Sequence, residues 1–184
     1  MIPNRTGRLA TARQCLSPNR DERPSGVVVD LLVIHNISLP PGQFGGPWID
    51  RLFTNCLEPE AHPYFQELIG LRVSAHLLIL RDGSLVQYVP FQQRAWHAGT
   101  SRFEGREQCN DFSIGIELEG TDDTPYTDAQ YRALVQATRE IMALYPDITP
   151  ERIRGHNDIA PGRKSDPGPS FDWLRFHRLL TEGE

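Results

Sequence analysis

Residues Phe112 to Leu118 read FSIGIEL. Phe112, Ile114, Ile116 and Leu118 fall on one face of an extended chain, and Ser113, Gly115 and Glu117 on the other, which is the period-two pattern of a strand. Glu117 therefore projects from the less apolar face. A second strand is written into Val27 to His35, VVVDLLVIH. It is a short, almost wholly apolar run rich in β-branched residues, of the kind buried on both faces in a central sheet. Its polar end, His35 and Asn36, sits at the sheet's rim. Further out, Ser74 to Leu80 and Leu85 to Val89 flank Arg81-Asp82-Gly83-Ser84, and the Asp-Gly pair, which readily supplies positive φ, predicts a hairpin.

Helix signals surround these strands. The prolines and glycines of SLPPGQFGGPW, residues 38–48, exclude regular structure and suit a cleft wall; a modest helical stretch follows at Ile49 to Phe53. Thr127 can cap a helix, with Gln130 closing a capping box and Tyr126 placed to staple onto Tyr131. Tyr131, Leu134, Val135, Thr138, Ile141 and Met142 continue one helical face, and Pro146 ends it. A short strand around Ile153 leads to Gly155 and His156, and a final amphipathic helix spans about Phe171 to Leu180. Strands interleaved with a few helices indicate an α+β, or mixed α/β, fold: a single domain with a central mixed sheet flanked by helices. Residues 1–26, punctuated by Pro18, Pro24 and Gly26, read as an irregular arm. Residues 27–184 form the domain, in a chain of 184 residues and 39% hydrophobic content, enough for one core.

Cys15, Cys56 and Cys109 are odd in number and widely spaced, which suits reduced thiols rather than a disulfide framework or a metal knuckle. The N-terminal residues contain no apolar leader core, and no stretch approaches the roughly 18 apolar residues of a membrane span. The expectation is a cytoplasmic protein with no membrane partner. A formal net charge of -5 argues against nucleic acid.

The six histidines, at 35, 62, 76, 97, 156 and 177, pose the question of which converge, and spacing alone does not answer it. His35 ends a buried strand, and His156 follows a strand and precedes a Pro/Gly-rich loop that contains Asp166, so all three can line one cleft. Two imidazoles and one carboxylate would leave a fourth tetrahedral position open, the mark of a catalytic rather than a structural zinc site.

Five blocks occur together: VIHN at 33–36, SAH at 74–76, AWHAG at 95–99, SIGIELEG at 113–120 and GHNDIAPGRKSDPGP at 155–169. In this order, from about Leu31 to Phe176, the chain resembles the AmpD amidases. The resemblance implies a fold shared with amidase-type phage lysozymes and peptidoglycan recognition proteins. It also implies one zinc ion held by His35, His156 and Asp166, with Glu117 as catalytic base and Lys164 beside the metal, where its ammonium can stabilise an oxyanion. Where phage lysozymes commonly present a cysteine as third ligand, this chain has Asp166. That harder ligand donates less charge and should leave the zinc a stronger Lewis acid.

Glu119 shares a face with Glu117 and competes for the same role, with the motif favouring Glu117. Trp96 and His97 offer an aromatic face with a polar neighbour, suited to sugar or peptide. Asn36, Arg72 and Arg163 match positions that contact ligand in the family, and an arginine fork suits the carboxylates of a stem peptide. His76 is read either as a substrate-site residue or as a buried one.

The activity implied is hydrolysis of the amide between the lactyl group of an anhydromuramoyl sugar and L-alanine, on small muropeptides during wall recycling, by a monomer. A recognition module that has lost its catalysis, and a lytic amidase acting on intact wall, are the competing function classes.

Overall fold

The FSIGIEL stretch lies at the heart of the sheet in the computed structural model, which describes residues 7–182. Along the chain come β1 (Arg13–Gln14), β2 (Arg20–Glu22), β3 (Leu31–Ile37), α1 (Trp48–Phe53), β4 (Leu77–Ile79), β5 (Leu85–Gln87), β6 (Gln93–Ala95), β7 (Arg102–Phe103) and β8 (Arg106–Glu107). They are followed by β9 (Ser113–Glu119), α2 (Asp128–Leu144), β10 (Ile153–Gly155), α3 (His156–Ile159) and α4 (Trp173–Thr181). Short 3-10 segments occupy Pro59–Ala61, Pro63–Leu68, Cys109–Asp111 and Pro150–Arg152.

Six strands make one mixed sheet in the order β1-β5-β4-β9-β3-β10. β9 runs parallel to both β3 and β4, β10 parallels β3, β1 parallels β5, and the β4/β5 hairpin is antiparallel. This is the mixed sheet with flanking helices that the interleaved strand and helix patterns predict. The hairpin turns where the Asp-Gly pair stands: Gly83 has φ +86°, and a Cβ there would lie 2.9 Å from the Ala129 carbonyl oxygen.

Alternation decides which residues meet which layer. Leu32 and Ile34 of β3 and Ile114, Ile116 and Leu118 of β9 pack with Tyr131, Leu134 and Ile141 of α2 and with Phe176 and Leu180 of α4. The intervening Leu31 and Val33 turn the other way, toward Ala98, Cys109, Phe112 and Ile159. On that same face Leu78 and Val86 meet Ile49, Leu52 and Phe53 of α1. Long helices thus cover one face, and short elements and loops cover the other. His35 and Glu117 share the parity of Leu31 and Val33, so both open onto the loop-covered face.

The segment expected as an irregular arm is structured over residues 7–26; its first six residues lie outside those described. β1 extends the sheet edge against β5, and β2 pairs antiparallel with β6. Arg23 pins the segment by donating to the carbonyls of Phe91, Asn110, Asp111 and Ser113. Strands of two and three residues carry no readable alternation, and their partners lie some seventy residues away.

The predicted capping box at the start of α2 is present: Thr127 Oγ1 accepts from the Gln130 amide while the Gln130 side chain accepts from the Thr127 amide. Thr127 Oγ1 also donates to the Arg81 carbonyl, tying the helix to the hairpin. Thr127→Ala should therefore cost about 1–2 kcal/mol of stability, read from a denaturant melt, with the β3/β9 pairing undisturbed.

Candidate metal centre and its cleft

The register of β3 and β9 places His35 directly beside Glu117. β10 lies on the other side of β3, with Gly155 opposite Ile34, so His156, the first residue of α3, emerges next to His35. The loop after α3 folds back and is held by the Asn157 amide, which donates to the Asp166 carbonyl at 3.0 Å. The outcome is a triangle: His35 Nδ1, His156 Nδ1 and Asp166 Oδ2 each lie 3.0 Å from the other two. Among the described residues this is the group of three suited to a metal ion.

Hydrogen bonding alone does not account for the triangle. His156 Nε2 lies 3.0 Å from the Ala98 carbonyl, which only accepts, so that nitrogen carries the proton and Nδ1 presents a bare lone pair. A lone pair facing a carboxylate oxygen and a second imidazole nitrogen calls for a cation. Tetrahedral zinc ligands at about 2.0–2.2 Å from the ion stand roughly 3.4 Å apart, close to the spacing seen. Burial lowers the pKa of His35 to about 4 against the pull of Asp166, so its imidazole stays neutral and able to donate a lone pair. Zinc therefore fits this donor set.

Glu117 is 9% exposed, and its Oε2 is buried without a hydrogen-bond partner among the described residues. Burial pushes its carboxyl pKa well above the usual range, the neighbouring Asp166 carboxylate adds to this, and the Lys164 ammonium opposes both. An orphaned carboxyl oxygen aimed into a cleft is poised for a ligand or a water. The competing Glu119 is spent on structure, because its two carboxylate oxygens accept from the amides of Gly45 and Arg81.

His35, Glu117, His156, Lys164 and Asp166 line a cleft of about 500 Å³, together with Arg72, Trp96, His97 and Arg163. Two other residues nominated from the sequence lie elsewhere. Asn36 follows His35 on the strand and so points to the helix-covered face, where it donates to Asp122 Oδ1 at 2.8 Å and to the Pro167 carbonyl at 3.1 Å. It steadies the loop beside Asp166 rather than facing the cleft. His76 is fully buried, with Nδ1 accepting from the Gly115 amide and Nε2 3.0 Å from the Gln93 carbonyl. Both its nitrogens are occupied, which places it in the core, behind the lining of the cleft.

Arg163 lines the cleft, yet its guanidinium donates to the carbonyls of Ala98 and Thr100, so it holds the loop on which His97 sits. Arg72 is exposed at the rim. Tyr64, Leu68, Leu71 and Val73 supply an apolar wall that sequence reading missed. They come from a 3-10 turn and the segment after it, which carry no periodicity, whereas Ser38 and Leu39 come from the loop expected to wall the cleft.

A sequence-family model described as N-acetylmuramoyl-L-alanine amidase matches residues 24–169. The chain is 62% identical over 175 residues to the 1,6-anhydro-N-acetylmuramyl-L-alanine amidase AmpD of Enterobacter cloacae, covering 95% of this chain and 93% of that protein. The Escherichia coli (strain K12) protein of the same name is 61% identical over 176 residues, covering 96% of each. Among solved structures, a selenomethionine derivative of AmpD superposes with a TM-score of 0.94 at 60% identity, covering 98% of this chain and all of that one. The amidase AmiD of E. coli, solved with the substrate anhydro-N-acetylmuramic acid-L-Ala-D-γ-Glu-L-Lys, gives a TM-score of 0.60 at 31% identity, covering 85% of this chain and 60% of that one.

Proposed function

The chain belongs to the N-acetylmuramoyl-L-alanine amidase family, and from that premise we propose that it is a zinc-dependent hydrolase of small anhydromuropeptides. The bond cut is the amide between the lactyl group of the anhydromuramoyl sugar and L-alanine. The observation that carries this reading is the convergence of His35 Nδ1, His156 Nδ1 and Asp166 Oδ2 beside the orphaned carboxyl of Glu117.

A zinc ion held by those three side chains would supply Lewis acidity toward the carbonyl and make water a nucleophile near neutral pH. The remaining roles fall to the chain. Glu117 in its ionised form takes the proton of the attacking water and returns it to the leaving amine of L-alanine. Lys164, on the same cleft, offers its ammonium to the oxygen on which negative charge develops. Trp96 and the apolar wall of Tyr64 and Leu68 pack against the sugar and the first residues of the stem, and exposed Arg72 meets the stem's carboxylates.

A 1,6-anhydro ring ties up the sugar's C1, so such a sugar can only end a glycan. Relatives named for it thus support fragments, rather than internal bonds of intact wall, as the substrate. We place the reaction in cytoplasmic turnover of these fragments, by a monomer with one zinc. No helix among the described residues is long and apolar enough to cross a membrane.

Incubation of the purified chain with an anhydromuramoyl tripeptide, with and without a chelator, tests the proposal by mass spectrometry. Release of the intact peptide that stops with chelator supports it. Binding without cleavage by zinc-loaded protein would instead mark a recognition module, and equal cleavage of polymeric wall would mark a lytic amidase. Lys164→Met should keep zinc and substrate affinity while kcat falls about 10²–10³-fold, as when an oxyanion donor is lost.

A further inference from the structure

We propose that His97, which lines the cleft, is a positioning residue that sets the tautomer of His35 through a one-way chain of hydrogen bonds anchored on the backbone at Cys109. The inference rests on the reading of the centre as a zinc site.

The chain is traced from its fixed end. The Cys109 carbonyl can only accept, and Ser113 donates its hydroxyl proton to it. Ser113 Oγ has then no proton left for its other neighbour, His97 Nε2 at 3.1 Å, so it accepts from that nitrogen. A neutral imidazole protonated at Nε2 has a bare Nδ1. That Nδ1 lies 2.8 Å from His35 Nε2, which must therefore be the protonated nitrogen of His35. His35 Nδ1 is left with its lone pair directed at His156 and Asp166. Among the described residues no carboxylate bonds the His97 ring to hold a second proton there.

Two backbone carbonyls thus fix both imidazole ligands: Ala98 acts on His156 directly, and Cys109 acts on His35 through Ser113 and His97. The outer partner of a ligating histidine orients its ring and raises its basicity.

The surroundings are built to seat this ring. Asn110 Oδ1 accepts from the amides of both His97 and Ala98, clamping the loop in place. Gly115 of β9 lies under the imidazole, where a Cβ would stand 2.5 Å from both His97 Cγ and Nδ1. Its φ is not positive, so close approach of the ring, rather than backbone conformation, explains a glycine in mid-strand.

His97→Phe keeps the ring's shape and removes the acceptor, whereas His97→Asn is smaller and places Oδ1 near the former Nδ1. Zinc affinity, measured by competition with a chromophoric chelator, should fall about 10–100-fold in His97→Phe and recover most of that loss in His97→Asn. Ring 15N spectra of the metal-stripped wild type should report His35 protonated at Nε2, and those of His97→Phe a mixture of tautomers. Wild-type affinity in His97→Phe, equal losses in both variants, or His35 protonated at Nδ1 in the wild type would each overturn the proposal. Should the wild type take up no zinc, the metal reading fails, and the His35 spectrum still decides the relay.

Discussion

His156→Ala should leave a chain that folds but neither retains zinc nor cleaves an anhydromuramoyl peptide. The argument starts from ligand count. His35 and Asp166 alone give two donors, and catalytic zinc sites rest on three protein ligands with one open position. The fold should survive because His156 is not the sole partner of its neighbours. The Ala98 carbonyl, which its Nε2 contacts, also accepts from Arg163 at 2.6 Å, so no buried acceptor is orphaned. Metal analysis after gel filtration, with circular dichroism of the same sample, checks both halves. His177 on α4 is the natural control: its ring stacks on Trp173 at 5.8 Å, away from the cleft, and His177→Ala should keep zinc and rate. Full zinc occupancy in His156→Ala would refute the ligand assignment.

What the sequence disclosed about this centre followed from periodicity, and what it withheld depended on long-range packing. The alternation from Ser113 to Leu118 and the apolar run from Leu31 to His35 specify two buried strands and put Glu117 opposite the isoleucines, whereas Phe112, expected on the isoleucine face, packs with Leu31 and Val33, Val27 and Val28 lie exposed ahead of β3, and β3 runs on to Ile37. The pairing of His35 with Glu117 adds only the parallel register. The same alternation explains Asn36: a strand neighbour of His35 must face the other layer, so its parity opposes the family-based expectation of ligand contact. His76 and the apolar wall were less legible. Whether a strand histidine meets a cleft or a core depends on what covers it, and here the Arg23 segment and the Gln93 carbonyl do. Spacing is equally silent on the triangle of His35, His156 and Asp166, since His35 and His156 stand 121 residues apart and meet only because β10 lies against β3.

Glu117→Gln should keep zinc bound and lower kcat by about 10²–10⁴-fold, the range lost with a general base. The substitution is close to isosteric, so a fall in rate with unchanged metal content isolates proton transfer. The pH profile gives a second check. Burial first, and the Asp166 carboxylate second, raise the Glu117 pKa. In the metal-free protein the base form is therefore lost as pH falls through a value above the usual carboxylate range, whereas the charge of a bound zinc would oppose that shift, so the acid limb of wild-type kcat/KM should lie below the metal-free titration of Glu117. Lys164 holds that pKa down, so Lys164→Met should move the limb to higher pH as well as slowing the reaction. The sign for stability is the opposite of that for catalysis. A folded pKa above the unfolded one stabilises fully below the unfolded value and is lost as pH rises through the folded one. At neutral pH, metal-free Glu117→Gln should thus melt higher than metal-free wild type, with the gap closing toward pH 4. Glu119→Gln should behave differently, because its carboxylate accepts from the Gly45 and Arg81 amides. It should lower stability while leaving the acid limb in place. An unchanged kcat in Glu117→Gln would instead move the base out of this strand's cleft face.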